Sequence, residues 1–169
     1  FENPEKADPL EYPSDPISLL VEPHGGQLVQ RHASADERAE AENLPRLTVS
    51  DTTLLDCEQI THGTYSPLSG FMDKKTCEAV LETSHLPDGT VWPMPILLAS
   101  PKESSQEFGV GDKIALVGAD GTIYATLDVS DIFTMDLEQV ALKLFGTSSK
   151  DHPGVARLFR DGDQFIAGD

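Results

Sequence analysis

The sequence predicts an α+β fold, with a few short helices and a strand-rich second half. Ser34 begins a capping box, and apolar residues at helical spacing follow two other candidate N-terminal caps, Asp73 and Asp136. Two strand-like runs flank the turn at residues 118–121, as in a β-hairpin. A length of 169 residues suits one domain that can bury its own core. We therefore expect a single domain of mixed secondary structure.

The start of the chain has the composition of an extended tail. Residues 1–16 combine acidic side chains with Pro4, Pro9, Pro13 and Pro16, and they offer little apolar surface to bury. The predicted domain therefore spans residues 17–169, with ordered structure beginning near Ile17. Because the chain starts at Phe1 and stops within a strand-like run at residues 165–169, we expect it to be part of a longer polypeptide.

The first half of the domain contains two predicted helices. Ser34 and Glu37 have the spacing of a capping box, which predicts a helix over about 35–42 that Pro45 ends. Asp73 can cap a second helix that ends near Ser84, with Cys77, Val80 and Leu81 on one face.

Two other segments in this half have patterns that are compatible with strands. Leu47 and Val49 alternate with polar neighbours, which indicates a short strand. Residues 54–60 fit either a strand or a helical turn, and the pattern leaves both open.

The second half supplies most of the predicted strands. Met94 to Ala99 is an apolar run interrupted only by Pro95, and residues 113–117 are expected to pair with residues 123–129. Asp136 then begins a third helix, and Gly146 ends it.

A turn with apolar anchors occupies residues 63–72. Pro67 fixes its own φ and favours extended backbone at Ser66, while Gly63 and Gly70 can adopt the positive φ that a reversal needs. The anchors expected to pack it onto the core are Tyr65, Leu68, Phe71 and Met72. The pattern favours a buried structural turn, and direct contact with a substrate is the alternative.

The preceding segment Pro23-His24-Gly25-Gly26 is predicted to be a loop. Its paired glycines allow a tight reversal or a close backbone approach.

The net charge of the chain limits the kinds of molecule that it is expected to bind. Acidic residues outnumber basic ones 29 to 12, which gives a net charge of −17 and argues against nucleic acid and anionic membranes as partners. Binding of an anion would need a local cationic site. The densest arginine group is Arg31, Arg38 and Arg46, and we expect these side chains to be solvated or paired with acids.

The small number of cysteines indicates the cellular compartment of the protein. The chain has only Cys57 and Cys77, no secretory signal and no apolar run long enough to span a membrane. Cys77 is expected to be a small buried hydrophobic residue. We therefore predict a soluble cytoplasmic protein, or a plastid protein if the source is a photosynthetic eukaryote.

No catalytic, cofactor-binding or metal-binding residue is predicted. The five histidines His24, His32, His62, His85 and His152 include no pair spaced for one helix face, so a metal site would have to be assembled by the fold. Asp161 and Asp163 fit a solvated turn better than a general acid and base. No glycine precedes a lysine, as a phosphate-binding loop requires, and there is no Gly-x-Ser-x-Gly elbow.

Three motifs together resemble the amino-terminal region of ATP sulfurylase (sulfate adenylyltransferase), over about residue 20 to the end. They are Pro23-His24-Gly25-Gly26 followed by Leu28 and Arg31, then residues 63–72, and then Gly146-Thr147 with His152-Pro153-Gly154-Val155. The resemblance implies a PUA-like, strand-rich pseudo-barrel packed against a nucleotidyltransferase domain of the same polypeptide. For the parent protein it implies MgATP, a homo-oligomer, and the reaction of ATP with sulfate to give adenosine 5'-phosphosulfate and pyrophosphate.

The family's catalytic motifs do not occur in this sequence. None of its glutamines begins Gln-x-Arg-Asn, no two histidines are three residues apart, and no glycine precedes an arginine as in the Gly-Arg-Asp-His loop. The resemblance therefore implies a scaffolding domain that is inactive alone. The alternatives are a stand-alone PUA-like module for RNA and a metal-binding domain built on the scattered histidines.

Overall fold

The computed structural model describes residues 21–100 and 108–169. The predicted tail at residues 1–16 and the predicted start of order near Ile17 lie outside the described residues. Within these ranges, a 3₁₀ turn at His24–Gly26 comes first. The elements that follow are α1 (Ala35–Ala41), β1 (Arg46–Thr48), α2 (Asp51–His62), α3 (Lys74–Thr83), β2 (Leu98–Ala99), β3 (Lys113–Val117), β4 (Ile123–Thr134), α4 (Leu137–Phe145), α5 (Pro153–Asp161) and β5 (Gln164–Gly168).

One mixed sheet organises the domain, in the strand order β1-β3-β4-β5-β2. β1 runs parallel to β3, and the other neighbouring pairs are antiparallel. The predicted hairpin is confirmed, with Lys113 opposite Asp128 and Leu116 opposite Ala125. β4 continues five residues past the predicted end at Val129 because its second half pairs with β5. The predicted α+β class is therefore confirmed.

Helix ends follow the predicted caps. In α1 the Glu37 amide donates to the Ser34 hydroxyl at 3.2 Å, and the Ser34 amide donates to the Glu37 carboxylate at 2.7 Å. Asp73 and Asp136 accept backbone amides at the starts of α3 and α4. Gly146 ends α4 with φ 69°, the left-handed conformation that favours glycine.

Residues 54–60, for which the sequence left both a strand and a helical turn open, lie in a helix. The Ser50 hydroxyl accepts the Thr53 amide at 3.3 Å and starts α2, which ends at His62 with Gly63 as its C-terminal cap. Cys57 and Ile60 are buried on one side of this helix, a spacing of three that a strand would place on opposite faces.

Two segments differ from expectation. Only Leu98 and Ala99 of the apolar run from Met94 pair as a strand, because the Pro95 nitrogen has no hydrogen to donate to a ladder. Helix α5 was not predicted from the sequence, although Pro153 stands at its first turn and Val155, Leu158 and Phe159 share one face.

The core lies between the sheet and the helices. Its larger cluster includes Leu47, Val80, Leu98, Ile114, Leu116 and Ile166, and a smaller cluster surrounds Phe133 and Phe165. Among the helices that the structure describes, none combines the length and the apolar character needed to cross a bilayer.

Candidate functional site

The turn at residues 63–72 begins where α2 ends. Gly63 takes φ 82°, as predicted, and caps the helix. The buried Ser66 hydroxyl donates to the Gly63 carbonyl at 2.6 Å and accepts the Val29 amide at 3.0 Å. This hydroxyl therefore joins the turn to the segment that follows the 3₁₀ turn.

The anchors of this turn pack as predicted. Phe71 and Met72 are buried in the larger core cluster, and Tyr65 and Leu68 pack against it. The Tyr65 hydroxyl donates to Asp56 at 3.1 Å, and burial raises the pKa of that carboxyl. The packing function of the turn is confirmed.

Gly70 has a different function from the predicted one. It does not adopt positive φ. A Cβ at Gly70 would lie 1.9 Å from the Gly168 carbonyl oxygen, so glycine is needed for close approach to β5. The Phe71 amide donates to the same oxygen at 2.8 Å.

The Pro23-His24-Gly25-Gly26 motif packs directly onto this turn. His24 Nε2 hydrogen-bonds the Val91 carbonyl oxygen at 2.7 Å, and the His24 ring lies 5.9 Å from the Trp92 ring. Gly25, at φ 72°, leaves room for Pro67, whose Cγ would lie 2.8 Å from a Cβ at that position. Two motifs far apart in sequence therefore form one structural unit with residues 91–92.

Beside this unit lies a groove of about 550 Å³ between α1, α2, β3 and β4. We call it the charged groove. Its floor is apolar and includes Cys57, Ile60, Phe71 and Leu116. Its rim carries both signs of charge, and the charged residues that line the groove are Arg31, Glu37, Arg38, Glu42, Lys113, Asp128 and Asp169.

The cations of the charged groove have partners, in line with the prediction for the arginines. Arg31 pairs with Asp169 at 2.9 Å, and Lys113 pairs with Asp128 at 3.5 Å. Arg38 Nε donates to the Ala33 carbonyl at 3.3 Å. Arg46, which does not line the groove, contacts Glu42 of the rim at 3.1 Å. This arrangement does not present a cluster of unpaired cations to an anion.

Glu37 lines the charged groove together with Arg31 and Lys113. The Ser34 backbone N–H lowers the pKa of Glu37 most, and the Ser34 hydroxyl, Lys113 and Arg31 lower it further. Glu37 therefore serves its helix cap and also balances the rim charge.

The histidines are placed separately, apart from one pair. The rings of His32, which lines the charged groove, and His62 are 5.6 Å apart. His85 Nδ1 lies 2.5 Å from the Thr83 carbonyl oxygen, and the His152 ring lies 4.8 Å from the Phe145 ring. Within residues 21–100 and 108–169, no three or more His, Cys, Asp or Glu side chains are grouped so that they could hold a metal ion.

Both cysteines are free thiols in the core. Cys57 is 7% exposed and Cys77 is fully buried, as expected for Cys77. Burial raises the pKa of each thiol to about 12, so neither is a reactive nucleophile at neutral pH.

The third motif lies around the start of α5. His152 precedes Pro153, Gly154 leaves room for the Phe145 ring, and Val155 is fully buried. Asp161 is the last residue of α5 and pairs with Arg160 at 2.9 Å, and Asp163 lies in the turn before β5. These contacts are structural ones.

Comparisons with known proteins agree with this architecture. The model of the PUA-like domain family matches residues 21–169. A sulfate adenylyltransferase from a Synechococcus strain is 36% identical over 152 residues, which cover 88% of this chain and 39% of that protein. One from Pyrococcus abyssi is 37% identical over 155 residues, covering 89% of this chain and 40% of that protein.

A longer relative and a solved structure extend the comparison. The Sorangium cellulosum protein named "Probable bifunctional SAT/APS kinase 2" is 36% identical over 154 residues, covering 89% of this chain and 26% of that protein. The solved structure described as a hexameric APS kinase from Thiobacillus denitrificans matches with a TM-score of 0.66 at 29% identity, over 89% of this chain and 26% of that one.

The chain spans about two fifths of the length of the sulfate adenylyltransferases that it matches. The resemblance predicted from the three motifs is confirmed, and so is the PUA-like fold. The chain belongs to the PUA-like domain family.

Proposed function

We propose that this chain is the PUA-like domain of a sulfate adenylyltransferase and that it supports the catalytic part of the same polypeptide. The observation that carries the proposal is sequence identity of 34–37% to several sulfate adenylyltransferases across nearly the whole chain. The parent reaction joins ATP and sulfate into adenosine 5'-phosphosulfate and releases pyrophosphate.

The proposal assigns the chemistry to the rest of the parent. Adenylyl transfer between two anions needs positioned cations or amides around the α-phosphate and the leaving pyrophosphate. The charged groove is a poor fit for MgATP, because Arg31 and Lys113 already pair with Asp169 and Asp128. We therefore place MgATP and sulfate outside this chain and assign no reaction step to its residues.

The proposed partners follow from the relatives. We propose that the chain packs against the catalytic part of its own polypeptide and that the parent is a homo-oligomer, since one matching structure is described as hexameric. A cytoplasmic location is proposed because both cysteines are free thiols, which is typical of a reducing compartment.

The proposed activity is tested with the whole natural polypeptide that carries this chain. We expect it to release pyrophosphate from MgATP only when sulfate is present, with a reaction lacking sulfate as the control. Absence of sulfate-dependent release from the folded polypeptide would contradict the proposed reaction.

A further inference from the structure

Three segments of this acidic chain carry no charged side chain. Residues 23–30, 59–72 and 89–100 contain no Asp, Glu, Lys or Arg, although these four residue types make up 24% of the sequence. Two of the three segments contain the family motifs, and the third contains Val91 and Trp92.

The fold brings these segments together. His24 contacts Val91 and Trp92, Gly25 lies against Pro67, and the Tyr65 and Trp92 rings meet edge to face with centroids 6.1 Å apart. The Val29 amide adds the hydrogen bond to Ser66. The separate stretches of uncharged sequence therefore form one continuous contact unit.

Part of this unit remains exposed. Val91 and Met94 are each 56% exposed, and His24, Gly25 and Pro93 are also exposed. We call these five residues the uncharged face. The buried members, such as Trp92 and Ser66, explain the packing of the domain, but packing does not explain exposed Val91 and Met94.

Apolar exposure without charge is typical of the centre of a protein interface. Interface cores are depleted of charged residues, whereas ordinary surface on a protein of net charge −17 should carry many. The uncharged face is thus a region where another protein surface can approach without the cost of burying acidic groups.

We infer that the uncharged face is the surface that docks onto the remaining part of the sulfate adenylyltransferase polypeptide. This inference rests on the proposed function, because it takes the partner to be the rest of that enzyme. The relatives are about two and a half times as long as the matched region, so such a partner is present in each of them.

Charge favours a covalently linked partner over a second copy. Two copies would each carry a net charge of −17 and would repel each other as they approach. A linked domain meets the face at an effective concentration in the millimolar range, which can overcome such repulsion.

The test measures thiol labelling of single cysteine variants of the whole polypeptide. Val91→Cys and Met94→Cys probe the uncharged face, and Val110→Cys and Leu142→Cys are matched controls at exposed apolar positions, 63% and 45% exposed. The native Cys57 and Cys77 give little background because burial raises the pKa of each thiol to about 12. Peptide mapping by mass spectrometry assigns each labelled site.

We expect maleimide to label positions 91 and 94 at least about tenfold more slowly than positions 110 and 142. Equal rates at all four positions would overturn the inference. Protection that disappears on dilution would assign the face to a second copy, and protection lost on deletion of residues 1–20 would assign it to the chain's own start. Either result would also overturn the inference.

The same samples separate this inference from the proposed function. Sulfate-dependent pyrophosphate release with rapid labelling at positions 91 and 94 would leave the function standing and overturn the docking surface. Slow labelling at both positions without sulfate-dependent release would contradict the enzyme identity on which the inference rests, and the partner would then be a different linked domain.

Discussion

Ser66 links two segments that are 37 residues apart. Its hydroxyl donates to the Gly63 carbonyl and accepts the Val29 amide, and the side chain is 2% exposed. The sequence indicated a structural turn here because proline, glycine and apolar residues alternate. It could not show that the serine hydroxyl reaches the amide of a residue in another segment.

Ser66→Ala should lower the free energy of unfolding by about 1–3 kcal/mol, because a part-buried amide loses its acceptor and a carbonyl loses its donor. Urea denaturation measures the change. Ser69→Ala is the control on the same turn, where the side chain is exposed, and it should stay within about 0.5 kcal/mol of wild type. Equal effects of the two variants would contradict the assigned bonds.

Gly70→Ala should lower the free energy of unfolding by more than a substitution in a turn usually does. The new methyl group would meet the backbone of Gly168, which cannot rotate away as a side chain can, so we expect a loss of at least about 3 kcal/mol.

Gly89→Ala separates this steric effect from backbone strain. Gly89 has φ 91° and open space around the added atom, so only the unfavourable φ remains, at about 1–2 kcal/mol. Thermal unfolding of both variants decides the comparison. A Gly70→Ala protein as stable as Gly89→Ala would show that the two backbones are not in close contact.

The buried thiols predict a loss of stability in alkaline solution. Burial raises the folded pKa of Cys57 and Cys77 from 9.0 to about 12, so the unfolded chain releases their protons first. Their contribution to stability is complete below pH 9 and is lost as the pH rises toward about 12.

Replacing both cysteines by alanine isolates this effect from other groups that titrate at high pH. Denaturant midpoints measured from pH 8 to 11 should fall less steeply with pH in the double variant than in wild type. Parallel curves would mean that the thiols ionise equally in the folded and unfolded states.

At the scale of elements, local chemistry predicted most helix boundaries. Ser34, Asp73 and Asp136 each cap a helix, since capping depends on residues within one turn of each other. The strand at Met94–Ala99 was predicted too long, because Pro95 has no hydrogen to donate to a ladder and because Ile96 is buried in the core outside any strand. The length of β4 depends on β5, which lies far away in sequence, so no local pattern could give it.

Asp136 offers a direct measure of capping at the start of α4. Its carboxylate accepts the Glu138 amide at 3.0 Å and the Gln139 amide at 3.3 Å. Asp136→Ala should cost about 1 kcal/mol in urea unfolding, whereas Asp136→Asn keeps an acceptor and should cost less. An asparagine variant as unstable as the alanine variant would show that charge, and not the hydrogen bonds, stabilises the helix start.

At the scale of the whole molecule, the order of three motifs predicted the family, while their spatial relation had to come from the fold. The Pro23-His24-Gly25-Gly26 motif and the turn at residues 63–72 form one contact unit with Trp92. The charged groove was not predicted, because its rim joins residues from α1, β3, β4 and the segment around Arg31. In contrast, the excess of acidic residues was sufficient to predict that the arginines are paired or solvated.

The most direct test of a supporting function compares the 169-residue chain with the whole polypeptide in one assay. Circular dichroism first establishes that the chain alone is folded. With MgATP and sulfate, the whole polypeptide should release pyrophosphate, and the folded chain alone should release none above a reaction without protein. Robust sulfate-dependent release by the chain alone would contradict the proposed supporting function, because the catalytic groups would then lie within these residues.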